Sequence, residues 1–200
     1  MDFFKVATGP VVNETELVMQ AQRGGREAFN ELVILHARGV RNVIFRMCGD
    51  LQIAEDAAQE TFIQAWLHIS NFRPQTSLRS WLYRIAVNAA IDMLRREKRI
   101  LPGDLDEMQL KDSRPGPEAF LAQEERITTV QKAIASLPEG SRVVLVLREY
   151  EGMSYQEIAE TLDIPVGTVM SRLNYGRKVL KDRLEQALSL STEADYVQAR

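Results

Sequence analysis

The sequence predicts an all-α protein made of two small helical domains joined by a flexible acidic linker. Apolar residues recur at helical spacing through both ends of the chain, and no stretch alternates as a strand would. The segment LPGDLDEMQLKDSRPGPEA breaks that periodicity with three prolines, two glycines and five acids. Charge is uneven as well. Residues 1–99 carry 13 basic and 11 acidic groups, 100–125 carry 2 and 7, and 126–200 carry 10 and 10. Two nearly neutral bodies, 13–99 and 120–188, therefore flank an acidic connector over 100–119. Such a connector leaves the two bodies free to move independently.

The elements follow in order. Residues 1–12 show no pattern and read as a loose arm. Asn13 or Thr15 can cap a first helix striped by Leu17, Val18 and Ala21 and ended by Arg23-Gly24-Gly25. A second helix runs from Arg26 to Cys48 with Phe29, Leu32, Val33, Val40, Val43, Ile44 and Met47 inward, until Gly49-Asp50 breaks it. A third spans about Gln52 to Ile69. Asn71-Phe72-Arg73-Pro74 is a loop, because Pro74 disfavours helix at Arg73. Ser77 then caps a fourth helix reaching Arg99. After the linker, Phe120, Ile127, Val130 and Ile134 line a helix that stops before Pro138. Short helices over Ser141–Tyr150 and Ser154–Leu162 come next. Ile164-Pro165 turns the chain into a long helix from about Gly167 to Leu188, with a frayed tail from Ser191.

Composition, 45% hydrophobic and 26% charged, is that of a soluble globular protein. No apolar run is long enough to span a bilayer, and MDFFKVATGP lacks the basic start and apolar core of a signal peptide. A cytoplasmic location without membrane insertion is expected. The single cysteine, Cys48, excludes an intramolecular disulfide and a cysteine-cluster metal site, and reads as a small buried hydrophobe. His36 and His68 are isolated, and there is no nucleophile–base pairing or phosphate loop, so neither catalysis nor a cofactor is expected. A net charge of −3 argues against nonspecific coating of nucleic acid but leaves a specific binder open, since local charge matters more than the sum.

Local charge is concentrated in two places. Ser77–Arg99 carries six cations against two acids. Leu78, Leu82, Ile85, Ala89 and Met93 make an apolar face there, while Arg84, Asn88, Ile91 and Arg95 share another. The second place has helix-turn-helix logic. Ser154 with Glu157 makes a capping box, Ala159 is small where two helices must cross, and a long helix follows a short turn. On that helix Val169, Leu173, Gly176 and Leu180 pack, while Thr168, Ser171, Arg172, Tyr175 and Lys178 face away. Arg172, Arg177, Lys178, Lys181 and Arg183 oppose only Asp182. Arg can fork onto guanine, hydroxyls can bond edges or phosphates, and Tyr can stack. Between these faces lies AEDAAQETFIQAWLHI, in which Phe62, Ile63 and Trp66 are interleaved with acids. A helix apolar on more than one side is either buried or binds a partner, and the row Asp56, Gln59, Glu60 suits basic groups on another protein.

Three blocks, AEDAAQETFIQAW, SNFRPQTSLRSWLYRIAVNAAIDMLRR and LPEGSRVVLVLREYEGMSYQEIAETLDIPVGTVMSRL, resemble the bacterial sigma factors of the extracytoplasmic-function type, the sigma-70 relatives that retain only sigma domains 2 and 4. The resemblance covers about Glu14 to Leu188. It implies binding to core RNA polymerase, promoter recognition, promoter melting and transcription initiation for a stress or envelope-response regulon. It also implies restraint by an anti-sigma factor. Asp56, Gln59, Glu60, Phe62 and Trp66 would dock on the clamp helices of the largest polymerase subunit, and the second domain on the flap of the second-largest subunit. Asn71, Phe72, Arg73, Ser77, Arg84, Asn88 and Arg95 would hold the minus-ten element, with a flipped base in the loop and Asp92 orienting its neighbours. Thr168, Met170, Ser171, Arg172, Tyr175, Arg177 and Lys178 would read minus-thirty-five promoter DNA in the major groove. Met170 stands where the family commonly has Lys or Arg, and Asn174-Tyr175-Gly176 replaces a more basic pattern, so the element itself cannot be carried over from relatives. The acidic linker would mimic nucleic acid near the polymerase active centre. The competing reading is a stand-alone helix-turn-helix repressor or activator, which leaves the basic N-terminal face without a role. A protein-interaction adaptor leaves both faces without one.

Overall fold

The computed structural model describes the backbone of residues 13–74, 76–100 and 118–198, and the side chains of 13–74, 76–96 and 127–187. The N-terminal arm and residues 101–117 of the linker lie outside the described residues. Helices α1 (Glu14–Gln22), α2 (Arg26–Cys48), α3 (Leu51–His68) and α4 (Leu78–Ile100) form the first half. Helices α5 (Glu118–Ala135), α6 (Glu139–Glu149), α7 (Tyr155–Leu162) and α8 (Val166–Gln198) form the second. No strand occurs among the described residues.

In the first half, α2 brings Leu32, Val40, Val43, Ile44 and Met47 against α3 and α4. The buried line of α3 is Ala54, Ala57, Thr61 and Ala65, all small, so its neighbours approach closely. Thr61 satisfies its hydroxyl within the helix, donating to the Ala57 carbonyl at 2.6 Å. Gly49 ends α2 with φ 75°, a left-handed conformation that disfavours any side chain, and its N–H donates to the Phe45 carbonyl at 2.8 Å. Asp50 then caps α3, accepting from the Ile53 N–H at 2.9 Å. On α4 the buried line is Leu78, Leu82, Tyr83, Ala86, Val87 and Ala90. Ile85, Ala89 and Met93, expected inward, lie only partly buried at its margin.

In the second half, Val143 to Leu147 are all buried. Helix α6 can be apolar all round because α7 and α8 cover one side and α2 covers another. The capping box of α7 is complete, with the Ser154 hydroxyl accepting from the Glu157 N–H at 3.2 Å and the Glu157 carboxylate from the Ser154 N–H at 2.7 Å. Asp163 ends α7 at φ 54°, and α8 begins after Pro165. Ile127, expected in the core, is 53% exposed. Helix α8 continues to Gln198, beyond the fraying expected from Ser191.

The two halves are in contact, unlike independent bodies on a free linker. Helices α5 and α6 lie on α2, and α7 lies on α4. The reason is legible in α6: five consecutive buried residues exceed what α7 and α8 can cover.

Glu157 has its carboxyl held below the ordinary value of 4.5, first by the backbone N–H of Ser154 and then by its side chain. A native value below the unfolded one stabilises the fold above that ordinary value, and the contribution is lost as pH falls through the native value. Ser154→Ala is expected to cost about 1 kcal/mol in chemical denaturation. The stability gap between the native chain and Glu157→Gln, measured by thermal melting, should be open at neutral pH and should close as pH falls below the ordinary carboxylate range through the native value.

Candidate nucleic-acid and polymerase interfaces

Helical phase decides what α3 offers to a partner. Phe62 and Trp66 follow the buried Thr61 and Ala65 by one residue, a turn of about 100°, and so flank the core. Ile63 and Leu67 follow by two and face away. Trp66 packs on Phe29 with ring centroids 5.0 Å apart, and Phe62 shares an apolar crevice with Phe29, Leu32, Leu78 and Trp81. The resemblance expects both at the polymerase surface; both are half-buried, and their inner sides hold α3 to its neighbours. Ile63 and Leu67 are 53% and 60% exposed. They extend a strip with Gln52, Asp56, Gln59 and Glu60 along the side opposite the core. Asp56 accepts from the Gln52 amide at 3.3 Å and Glu60 from the Gln64 amide at 2.7 Å, which fixes the carboxylates along the strip. The alanine spacing is the signal that could have found Ile63 and Leu67.

The loop before α4 is anchored from behind. The Gln22 amide donates to the carbonyls of Ile69 at 3.1 Å and Phe72 at 2.8 Å, so α1 positions the loop. Phe72 is buried and packs on Trp81 with centroids 5.3 Å apart. Expected to meet a base, it is instead the loop's root, while Asn71 and Arg73 on either side are exposed. Ser77 caps α4, accepting from the Ser80 N–H at 3.1 Å. Along α4, Arg84, Asn88, Asp92 and Arg95 share one exposed face, as expected. Tyr83 is buried, and desolvation, followed by its hydrogen bond to Glu151, pushes its hydroxyl well above the ordinary range.

On α8 the buried line is Val169, Leu173 and Gly176. Opposite it, Met170, Ser171, Asn174, Tyr175 and Lys178 are exposed. Thr168 is half-buried, and its carbonyl accepts from the Ser171 hydroxyl at 3.1 Å. Arg172 and Arg177 turn toward α6. A Cβ at Gly140 would meet the Arg172 guanidinium carbon at 3.0 Å. Arg177 pairs with the Glu149 carboxylate through Nε at 2.9 Å and Nη2 at 2.6 Å, which raises its pKa. Two expected base-reading cations therefore lie along the flank of the helix, and Asn174 joins the outward row. Its phase, one turn from Met170 and from Lys178, is the available signal.

Residues 32–100 match the sigma-70 region 2 family, and residues 127–180 match sigma-70 region 4. The RNA polymerase sigma-H factor of Pseudomonas aeruginosa is 37% identical over 187 residues, covering 88% of this chain and 95% of that one. The chain belongs to the sigma-70 family, in its extracytoplasmic-function class. The ECF RNA polymerase sigma-E factor of Escherichia coli K12 is 36% identical to this sigma factor over 180 residues, covering 84% and 93% of the two chains. Among solved structures, CnrH in complex with the cytosolic domain of CnrY matches with a TM-score of 0.66 at 26% identity, over 86% of this chain and 97% of that one. RpoE from Bartonella quintana, crystallised with the anti-sigma factor NepR, shares the fold at a TM-score of 0.64 and 22% identity, over 78% and 96% of the chains.

The inward and outward apolar groups of α3 can be told apart by denaturation. Phe62→Ala is expected to cost about 3 kcal/mol and Ile63→Ser to stay within about 0.5 kcal/mol.

Proposed function

We propose that this sigma factor docks on core RNA polymerase through the outward strip of α3. Gln52, Asp56, Gln59 and Glu60 supply polar contacts and Ile63 and Leu67 the apolar anchors. Asn71, Arg73 and the α4 face of Arg84, Asn88 and Arg95 hold the melted minus-ten strand, with the loop rooted by Phe72 and Gln22. The outward row of α8, Met170, Ser171, Asn174, Tyr175 and Lys178, enters the major groove at the minus-thirty-five element. Its amide can bond the N6–N7 edge of adenine, and Met170 and Tyr175 can meet thymine methyl groups. The chain acts as a non-enzymatic initiation factor, and its partner places it in the cytoplasm. What carries the reading is the presence, on one chain, of two outward polar faces in separate halves together with an acidic-apolar strip that faces neither. One DNA-binding surface would serve a repressor; the second face and the strip would have no use in one.

An anti-sigma factor is part of the same proposal. The RpoE relative is crystallised with one, and the exposed apolar strip of α3 is a surface whose cover would prevent polymerase docking. The acidic linker remains a proposal on charge alone, since residues 101–117 lie outside the described residues.

The deciding experiment is transcription with purified core polymerase on promoter-containing DNA, with and without this protein. Start sites that depend on it support the reading. Tight duplex binding with no affinity for core polymerase would overturn it. Ile63→Asp should weaken core binding at least about tenfold while leaving the melting temperature unchanged. Arg84→Ala with Arg95→Ala should flatten the dependence of single-strand binding on log salt by about 1.4, roughly 0.7 for each phosphate that is no longer neutralised.

A further inference from the structure

A recognition helix reads only what its outward side chains can reach, and on α8 the neighbouring α6 takes part in that choice. Arginine is the residue that forks onto guanine, and α8 carries Arg172 and Arg177 within the stretch that faces DNA. Helix α6 holds each of them aside, one near either end. At its start Gly140 leaves bare backbone. A Cβ there would stand 3.0 Å from the Arg172 guanidinium carbon, 3.1 Å from Nη1 and 3.2 Å from Nε. Nearly equal distances to three atoms of one plate put that point over its face, so the guanidinium lies flat on the glycine. Arg172 is half-buried there. At the other end of α6 the Glu149 carboxylate accepts from Arg177 Nε at 2.9 Å and Nη2 at 2.6 Å. Two donors of that guanidinium are thereby committed to an acid.

What remains outward is a row without arginine: Met170, Ser171, Asn174, Tyr175 and Lys178. Eight residues separate its ends, about 12 Å along the axis, which matches about three or four base pairs at about 3.4 Å each. Guanine shows two acceptors to the major groove and is read by two parallel donors, whereas adenine shows one acceptor beside one donor. Met170 has no donor. The Ser171 hydroxyl already donates to the Thr168 carbonyl at 3.1 Å, so it meets a base as an acceptor suited to an amino group. The Asn174 amide carries one donor and one acceptor side by side, the complement of adenine N7 and N6. Met170, one turn before it, and Tyr175, the next residue, offer apolar surface to thymine methyl groups.

We infer that α6 sets the base preference of α8 by holding its arginines out of the groove, so that the row from Met170 to Tyr175 reads adenine–thymine pairs, with adenine under Asn174. The inference rests on the reading of α8 as the minus-thirty-five face, and it names the class of sequence that this face takes. Lys178, at the far end of the row, meets phosphate. Arg172 is withheld by shape and Arg177 by charge, so a charge-neutral change at Glu149 releases the second alone.

The test is selection of duplexes from a randomised pool by the full chain, alone and in complex with core polymerase, followed by sequencing of what is retained. The native site should be adenine–thymine where the row from Met170 to Tyr175 meets it. Asn174→Ala should lower the preference for adenine at one position at least about fivefold and leave the other positions unchanged. Met170→Arg should install guanine at a neighbouring position by the same margin. Glu149→Gln, at an exposed position, should steepen the dependence of duplex affinity on log salt by about 0.9, the mark of one further neutralised phosphate. A loss of stability alone would not move that slope. Circular dichroism establishes that each variant folds. A native site with guanine at the positions that Asn174→Ala and Met170→Arg alter would overturn the inference. An Asn174→Ala variant with native preferences, or a Glu149→Gln variant with the native slope, would overturn it as well. Retention of no duplex by either form would overturn it together with the reading on which it rests. An adenine–thymine site selected by a chain that does not bind core polymerase would remove the promoter-factor reading alone.

Discussion

The end of α2 is the constraint on which the arrangement turns. A helix leaves its last carbonyls without intrahelical partners, and water serves them unless the end is buried. Here the end is buried, because Val40, Val43, Ile44 and Met47 carry the first core up to its last turn. Gly49 satisfies one carbonyl from within the chain, and the remaining donors come from α5 and α6. Removing a donor from such a site costs more than an average hydrogen bond, since the carbonyl left behind stays dry. The second half is therefore held against the first by a requirement of the backbone, with the ion pairs around it adding orientation.

The functional faces follow from where small residues sit. Three alanines and a threonine bring α3 close to its neighbours, and Ile63 and Leu67 are thereby turned to solvent. Gly176 performs the same service on α8, where a Cβ would meet the Leu145 side chain at 3.4 Å. Close packing on one side fixes rotation about the helix axis, and that rotation decides which polar groups a partner can touch. The large side chains then secure the result: Trp66 on Phe29 and Phe72 on Trp81 lock the two elements that flank the α4 face.

Much of this was legible in the sequence. Helix breaks at Gly49-Asp50 and Pro74, the capping box of α7 and the outward row of Arg84, Asn88 and Arg95 all follow from local rules. The side chains that lie further inward than the resemblance implies share one cause. Phe62, Trp66 and Phe72 are large aromatics beside polar residues, a pattern equally suited to surface anchors and to a core built from few large groups. Arg172 and Arg177 lie on a helix rich in cations, and only the position of α6, with Gly140 and Glu149 facing them, turns them aside. The contact of α5 and α6 with α2 was visible in the apolar run of α6 but not in its polar centre. Gln131 and Arg142 look like ordinary surface residues until the backbone ends they serve are known.

Gly39 has a consequence of a different kind. A single nucleotide change in any glycine codon of the GGN type gives alanine, and a Cβ there would displace the Tyr83 hydroxyl from its line to Glu151. The position contacts neither polymerase nor promoter in the proposed function.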